Sequence, residues 1–204
     1  MGHIPDGSLP FESFDFEHDL EKALLPSETF NSQHWLYVPP RYEECRFILG
    51  ERGDCPIICI GVNPSTAEPD NLDRTMSRVK SISEHNGYEG YFMLNVCAQR
   101  ATLPDNVERE STERLHVENR KAFEYLFSKY PSPQVWVAWG CRIEKRKYFT
   151  EYLRDIQQIG KDHNARWLCA GTTKRGHPRH PLWLRRETKL QRFDLDSYLA
   201  WYLE

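Results

Sequence analysis

Residues 56–66 read PIICIGVNPST. The first seven form a nearly unbroken apolar run with the length of a strand buried on both faces, which is how strands of a parallel sheet read. The run leaves through Gly61, and Asn63, Pro64, Ser65 and Thr66 follow. Those residues make poor core and a poor helix interior. A polar, proline-stiffened exit from a buried strand suits a loop that holds a ligand group.

The same alternation recurs outward from it. Upstream, residues 42–49 (YEECRFIL) read as a strand, separated from 56–62 by a turn at 50–54 (GERGD). Downstream, 73–84 reads as a helix closed by Asn86-Gly87. Residues 91–96 (YFMLNV) read as a buried strand, followed by a polar loop with Pro104 and a helix over 113–129. Residues 134–139 (QVWVAW) give the next strand, ended by Gly140, then a charged helix over 142–158 stopped by Gly160. A short strand at 166–170, the loop GTTKRGHPRHP and a helix at 195–202 complete the chain. Strands alternating with helices of ten or more residues predict an α/β fold. The expected form is a three-layer α/β/α arrangement around a mostly parallel central sheet. Ligands of such sheets bind beyond the carboxyl ends of the strands. The loops GVNPST, NVCAQR, WGCR and GTTKRGHPRHP each follow a strand, so all four should gather along one edge.

At 204 residues the chain is long enough for one good core and short for two. Aromatics make up 13% with six Trp, so aromatic burial should carry much of that core. The formal charge of −3 hides a strong segregation. Residues 1–34 hold Asp6, Glu12, Asp15, Glu17, Asp19, Glu21 and Glu28 against Lys22 alone. Residues 171–192 hold Lys174, Arg175, Arg179, Arg185, Arg186, Lys189 and Arg192 against Glu187 alone. The expected organisation is an acidic arm over 1–34, with one short helix near 17–25, and a single α/β domain over 35–204. The basic segment either meets phosphates, docks on the acidic arm or is simply solvated. Six cysteines at 45, 55, 59, 97, 141 and 169 form no CxxC pair. They point to a reduced, cytoplasmic protein rather than a disulfide scaffold or zinc site. No stretch reaches the length of a membrane span, and the N-terminus lacks a basic-then-apolar signal.

The candidate site residues lie in the four loops. Asn63 can hold a water or read a base edge, since an amide both donates and accepts; its structural alternative is an Asx turn helped by Pro64. Ser65 and Thr66 can donate to an anion or cap a turn, and capping accounts for Asp73 and Thr75. Asn95, a polar amide inside an apolar strand, must find a partner or carry a penalty of about 1–3 kcal/mol. It either reads a nucleobase or bonds a neighbouring loop. Arg100 meets phosphate or an acid. His177 and His180 sit in a loop stiffened by Pro178 and Pro181 and crowded with Lys174, Arg175 and Arg179. Neighbouring cations push a histidine towards neutrality, where its N–H still stabilises a developing oxyanion. Trp139 can stack on a ring or pack in the core. There is no HExxH, Walker loop, GxGxxG, GxSxG or kinase signature, so no metal or other cofactor is expected.

The motifs RFILGERGD (46–54), GVNPSTAE (61–68), FMLNVCAQRAT (92–102), VAWG (137–140) and TKRGHPRHPLWL (173–184) resemble, in that order, the bacterial and phage family catalogued as domain of unknown function 1643. The resemblance covers roughly residues 42–193 and carries no settled activity. More distantly, their order is similar to that of the uracil-DNA glycosylase superfamily, which has a parallel sheet between helices. In its mismatch-specific branch a GINPG loop follows the first core strand, and its Asn positions the attacking water. GVNPS matches at Gly61, Asn63 and Pro64, with Ser65 in place of the last glycine. Other branches read the base with the Asn of an LLN strand end, which MLN here places at Asn95. The closing HPS-type loop is matched by His177-Pro178-Arg179 or, in a second register, His180-Pro181-Leu182. There is no DPYH-type acid and no iron–sulfur cysteine pattern, and Arg179 replaces a small residue.

The resemblance implies a glycosylase-like enzyme acting on a nucleobase or nucleotide, with a modified or damaged base in DNA as one substrate. Asn63 would hold water for attack at the sugar C1′, Asn95 would read the base, and His177 or His180 would stabilise the departing base. The alternative is a non-catalytic nucleotide or nucleic-acid sensor on the same fold. A third reading is a structural or interaction protein whose acidic arm covers the basic loop.

Overall fold

A computed structural model describes residues 3–4 and 14–202 of the chain. Its strands are β1 (Trp35–Val38), β2 (Ile48–Cys55), β3 (Ile57–Gly61), β4 (Glu89–Asn95), β5 (Gln134–Val137), β6 (Arg166–Cys169) and β7 (Gln191–Arg192). Its helices are α1 (Phe16–Ala23), α2 (Arg74–His85), α3 (Glu113–Ser128), α4 (Phe149–Asp162) and α5 (Leu195–Tyr202). The strands form one seven-stranded, mostly parallel sheet in the order β1-β2-β4-β3-β5-β6-β7. The centre, β4-β3-β5-β6, is parallel throughout, and β2 and β7 run antiparallel to its two flanks.

Side chains of successive strand residues point to opposite faces, so each central strand feeds two cores. Ile58, Ile60, Phe92, Leu94, Val135 and Val137 pack with Leu115, Phe123, Leu153, Ile156 and Leu199 from α3, α4 and α5. Ile57, Cys59, Tyr91, Met93 and Trp136 pack with Met76, Val79 and Ile82 from α2. The sheet is therefore covered on both faces. Asp73 caps α2 by accepting from the Met76 N–H at 2.9 Å, as its place at the helix start predicts.

Several boundaries differ from the sequence expectation. The strand expected at 42–49 begins only at Ile48, and β2 runs straight through the expected turn at 50–54. Gly50 and Gly53 are glycines there because β4 lies so close. A Cβ at Gly50 would stand 2.0 Å from the Tyr91 carbonyl oxygen, and one at Gly53 1.6 Å from that of Glu89. The turn is reduced to Pro56, which carries the chain from one flank of β4 to the other. Nor does Gly160 stop its helix: α4 continues to Asp162, and a Cβ at Gly160 would fall 2.2 Å from the Trp167 ring. Residues 140–145 form a 3-10 turn before α4 rather than its first turns. Edge strands β1 and β7 are additional to the expected set.

The described part of the acidic arm is docked. Phe14, Phe16 and Ala23 join the core, and Phe16 meets Phe47 edge-on at 5.7 Å between centroids. Asp19 pairs with Arg41 at 3.3 Å and Glu17 with Lys121 at 3.4 Å. Among the described residues no acid of the arm pairs with the basic segment; Asp6 and Glu12 lie outside them.

Candidate functional site

Beyond the carboxyl ends of β3, β4 and β5 lies a cavity of about 850 Å³. Its buried floor is made by Arg46, Gly61, Met76, Met93, Asn95 and Trp139. The loop after β3 supplies Asn63, Pro64, Ser65 and Thr66, the start of α2 supplies Asp73, Arg74 and Thr75, and the loop after β6 supplies Arg179, His180 and Trp183. The expected convergence of strand-end loops therefore takes place, with Gly61, Asn63, Pro64, Ser65, Asn95, Trp139, Arg179 and His180 on one wall system.

Asn95 is 1% exposed, and both its Oδ1 and its Nδ2 lack any hydrogen-bond partner. A buried amide with neither end satisfied carries a penalty on the order of 1–3 kcal/mol per group. The neighbourhood is shaped to keep it there. Gly61 is Asn95's register partner in β3, and a Cβ at Gly61 would stand 2.9 Å from Asn95 Oδ1 and 2.6 Å from the Met93 methyl. From behind, α3 holds the strand end: Asn119 Nδ2 donates to the carbonyls of Asn95 at 3.0 Å and Val96 at 3.2 Å. The side chain thus presents one acceptor and one donor group, side by side, with no partner among the described residues.

The Asn63 Nδ2 donates to the carbonyls of Pro64 at 3.0 Å and Ala101 at 2.6 Å, clamping its own loop to the segment after β4. Its Oδ1 accepts from no described residue. Arg100 does not line the cavity; it supports the same loop from below. Its guanidinium donates to the Ser65 and Ala67 carbonyls and to the Tyr37 hydroxyl, with its carbon 4.3 Å from the Tyr42 ring centroid. The Ser65 hydroxyl meets that of Thr102 at 3.2 Å.

The two histidines separate. His180 lines the cavity, and its Nδ1 accepts from the Leu182 N–H at 3.3 Å, which places the neutral ring's proton on Nε2. Burial pushes its pKa down to about 4; the Arg142 charge acts the same way and Asp73 opposes it. His177 is fully buried and outside the cavity wall. Its Nδ1 lies 2.8 Å from the Tyr198 hydroxyl and its Nε2 2.5 Å from Glu144. The Trp139 indole N–H donates to the same Tyr198 hydroxyl at 3.1 Å. One directed chain satisfies every group: Trp139 to Tyr198, Tyr198 to His177, His177 to Glu144. His177 thus ties the loop to α5 and the 3-10 turn, while His180 faces the solvent-accessible space.

Of the basic loop residues, Arg175 pairs with Glu144 away from the cavity, and Lys174 is exposed and does not line it. The rim is nonetheless basic, with exposed Arg74, Arg142 and Arg179 beside the exposed Trp183 and Leu103. Arg46, Arg142, Leu103 and Trp183 are wall residues that sequence reasoning did not single out. Arg46 carried a signal: a lone charge between Cys45 and the apolar Phe47-Ile48-Leu49. Among the described residues no group of three or more His, Cys, Asp or Glu could hold a metal ion, no cysteine pair is bonded, and no helix is long and apolar enough to cross a membrane.

Fold and cavity together define the class: a mixed α/β protein with a cavity at the carboxyl ends of its central strands. The cavity offers two amides, a neutral imidazole and a guanidinium between the apolar faces of Met76, Met93 and Trp139, a lining suited to a flat, polar ring. The family is shown by the chain itself. Residues 46–182 match the family described as Protein of unknown function (DUF1643), and the protein belongs to it. No curated protein and no solved structure matches the chain.

Proposed function

We propose that the protein acts on a nucleobase held in this cavity, hydrolysing the N-glycosidic bond of a nucleotide or of a modified base in DNA in the manner of the uracil-DNA glycosylases its motifs resemble. The observation that carries this reading is Asn95, an amide with both ends unpartnered on the floor of a cavity of about 850 Å³. A base presenting a carbonyl beside an N–H satisfies both ends at once.

The remaining roles follow from the surrounding groups. Asn63 Oδ1 accepts a hydrogen from the attacking water, whose oxygen bonds to C1′ as the C1′–N bond breaks. The electron pair leaves with the base, and His180, neutral with a proton on Nε2, donates to the base oxygen on which charge gathers. Asp73, the one carboxylate among the described wall residues, is the available acceptor for the water's proton. If the base is in a duplex it must be flipped out. Trp183 at 81% exposure and the rim arginines Arg74, Arg142 and Arg179 form the surface that would meet it.

The alternative, a non-catalytic nucleotide or nucleic-acid sensor, is favoured by one observation: the Asn63 amide N–H groups already brace the loop. Incubation with free nucleotides and with oligonucleotides containing uracil, hypoxanthine or hypermodified pyrimidines, followed by chromatography of the released base, separates the two. Hydrolysis predicts free base from one of these, reduced about 100-fold or more by Asn63→Ala and His180→Ala. Absence of free base from every substrate sinks the hydrolytic reading.

A further inference from the structure

The cavity floor holds a charge that the proposed hydrolysis does not use. Arg46 is 2% exposed, yet the one side-chain hydrogen bond it makes to a described residue is from Nη1 to the Ala67 carbonyl at 3.3 Å, and its Nε has no partner. No described carboxylate pairs with it. Asp73, the nearest acid on the wall, accepts from the Met76 N–H and forms no ion pair with Arg46. A second buried guanidinium makes matters worse: Arg100 shares the Ala67 carbonyl at 3.3 Å, and its own Nε is also unpartnered. Burial, with Arg100 acting in the same direction and the Asp73 charge opposing, holds the Arg46 pKa down to about 9. Two buried like charges with no ion-pair partner among the described residues are unfavourable in a folded protein. A ligand that brings the counter-charge removes the penalty on binding.

We propose that Arg46 is an anion receptor on the cavity floor, and that the ligand read by Asn95 carries an oxyanion, a carboxylate or a phosphate, on the end that enters deepest. The proposal rests on this cavity being the ligand site, but not on the hydrolytic step. A guanidinium presents its N–H groups as a planar fork that matches two oxygens of either anion. Arg46 and Asn95 line the same cavity, so a ligand that meets both carries its anion on the same molecule as its amide-like edge. A diester running through DNA has no place there, because a group on the floor must be terminal. A carboxylated pyrimidine and a terminal phosphate monoester both satisfy the chemistry.

Calorimetric titration of the full chain with orotate, uridine 5′-monophosphate and inorganic phosphate, each set against uracil or uridine, tests the proposal. At least one anion should bind tenfold or more tightly than its neutral counterpart. Orotate responding alone assigns a ring carboxylate, and the nucleotide and phosphate responding together assign a phosphate. Arg46→Gln should abolish the preference and, by removing a buried charge, raise the ligand-free Tm by roughly 2–4 °C. Arg46→Lys, which keeps the charge, should retain part of the preference and covers the case in which Arg46→Gln does not fold. Equal binding of anionic and neutral ligands, no binding of any probe at millimolar concentration, or a preference that survives Arg46→Gln overturns it. If no base is released from any substrate but the Arg46-dependent preference holds, the hydrolytic reading falls and this one stands.

Discussion

His177 and His180 lie three residues apart and are fixed by different physics. His177 is buried and bonded at both ring nitrogens, so His177→Ala should cost about 1–3 kcal/mol in unfolding free energy and loosen the cavity wall indirectly. His180→Ala should leave thermal unfolding nearly unchanged while lowering turnover. The pH profile tells them apart further. With a folded pKa of about 4 against an ordinary value near 6.5, the unfolded chain binds the proton more readily between those values. Stability linked to His180 is therefore present above about pH 6.5 and lost as pH falls through the window towards 4. Turnover that needs the neutral ring should be level near pH 7 and fall below about pH 4–5. A profile unchanged in His180→Ala would remove the imidazole from the chemistry.

At the scale of elements, glycines explain where the sequence was legible and where it was not. The helices α2, α3 and α5 were readable because their starts and periodicity are local properties; α5 begins at the expected Leu195. The first strand was misplaced because Gly50 and Gly53 look like turn residues until β4 is seen against them. Gly160 was read as a stop, but its missing side chain makes room for Trp167 inside α4. In an isolated helix Gly→Ala stabilises by about 1 kcal/mol. Gly160→Ala should instead destabilise by about 1–3 kcal/mol, because the Trp167 ring has to move; chemical denaturation measures the sign, and a gain in stability contradicts this packing. The candidate site divides in the same way. Asn63, Asn95 and His180 were legible as polar groups at the ends of apolar runs. Arg46 showed in the sequence only as a lone charge beside an apolar run; its burial on the cavity floor without an ion-pair partner comes from the three-dimensional fold.

For the whole molecule, the charge segregation seen in the sequence resolves into two surfaces. Two of the five described acids of the arm, Asp19 and Glu17, pair with Arg41 and Lys121, while Arg74, Arg142 and Arg179 stay exposed around the cavity mouth. Under the proposed function on DNA, affinity for a single-stranded oligonucleotide should fall steeply with salt. Replacing any one of the three by Gln should reduce the slope of log K against log salt by about one. Affinity without salt dependence would assign the rim no phosphate contact and point to a free nucleobase or nucleotide. The central claim, however, is that a nucleobase edge closes the two open valences of Asn95. It is tested most directly by following the Asn95 side-chain amide in a ¹⁵N-labelled protein by NMR during titration with nucleobases and nucleotides. The account predicts a downfield shift of the Asn95 amide protons that saturates with binding, together with loss of that binding in Asn95→Ala. Saturable binding that leaves the Asn95 amide signals unmoved contradicts it.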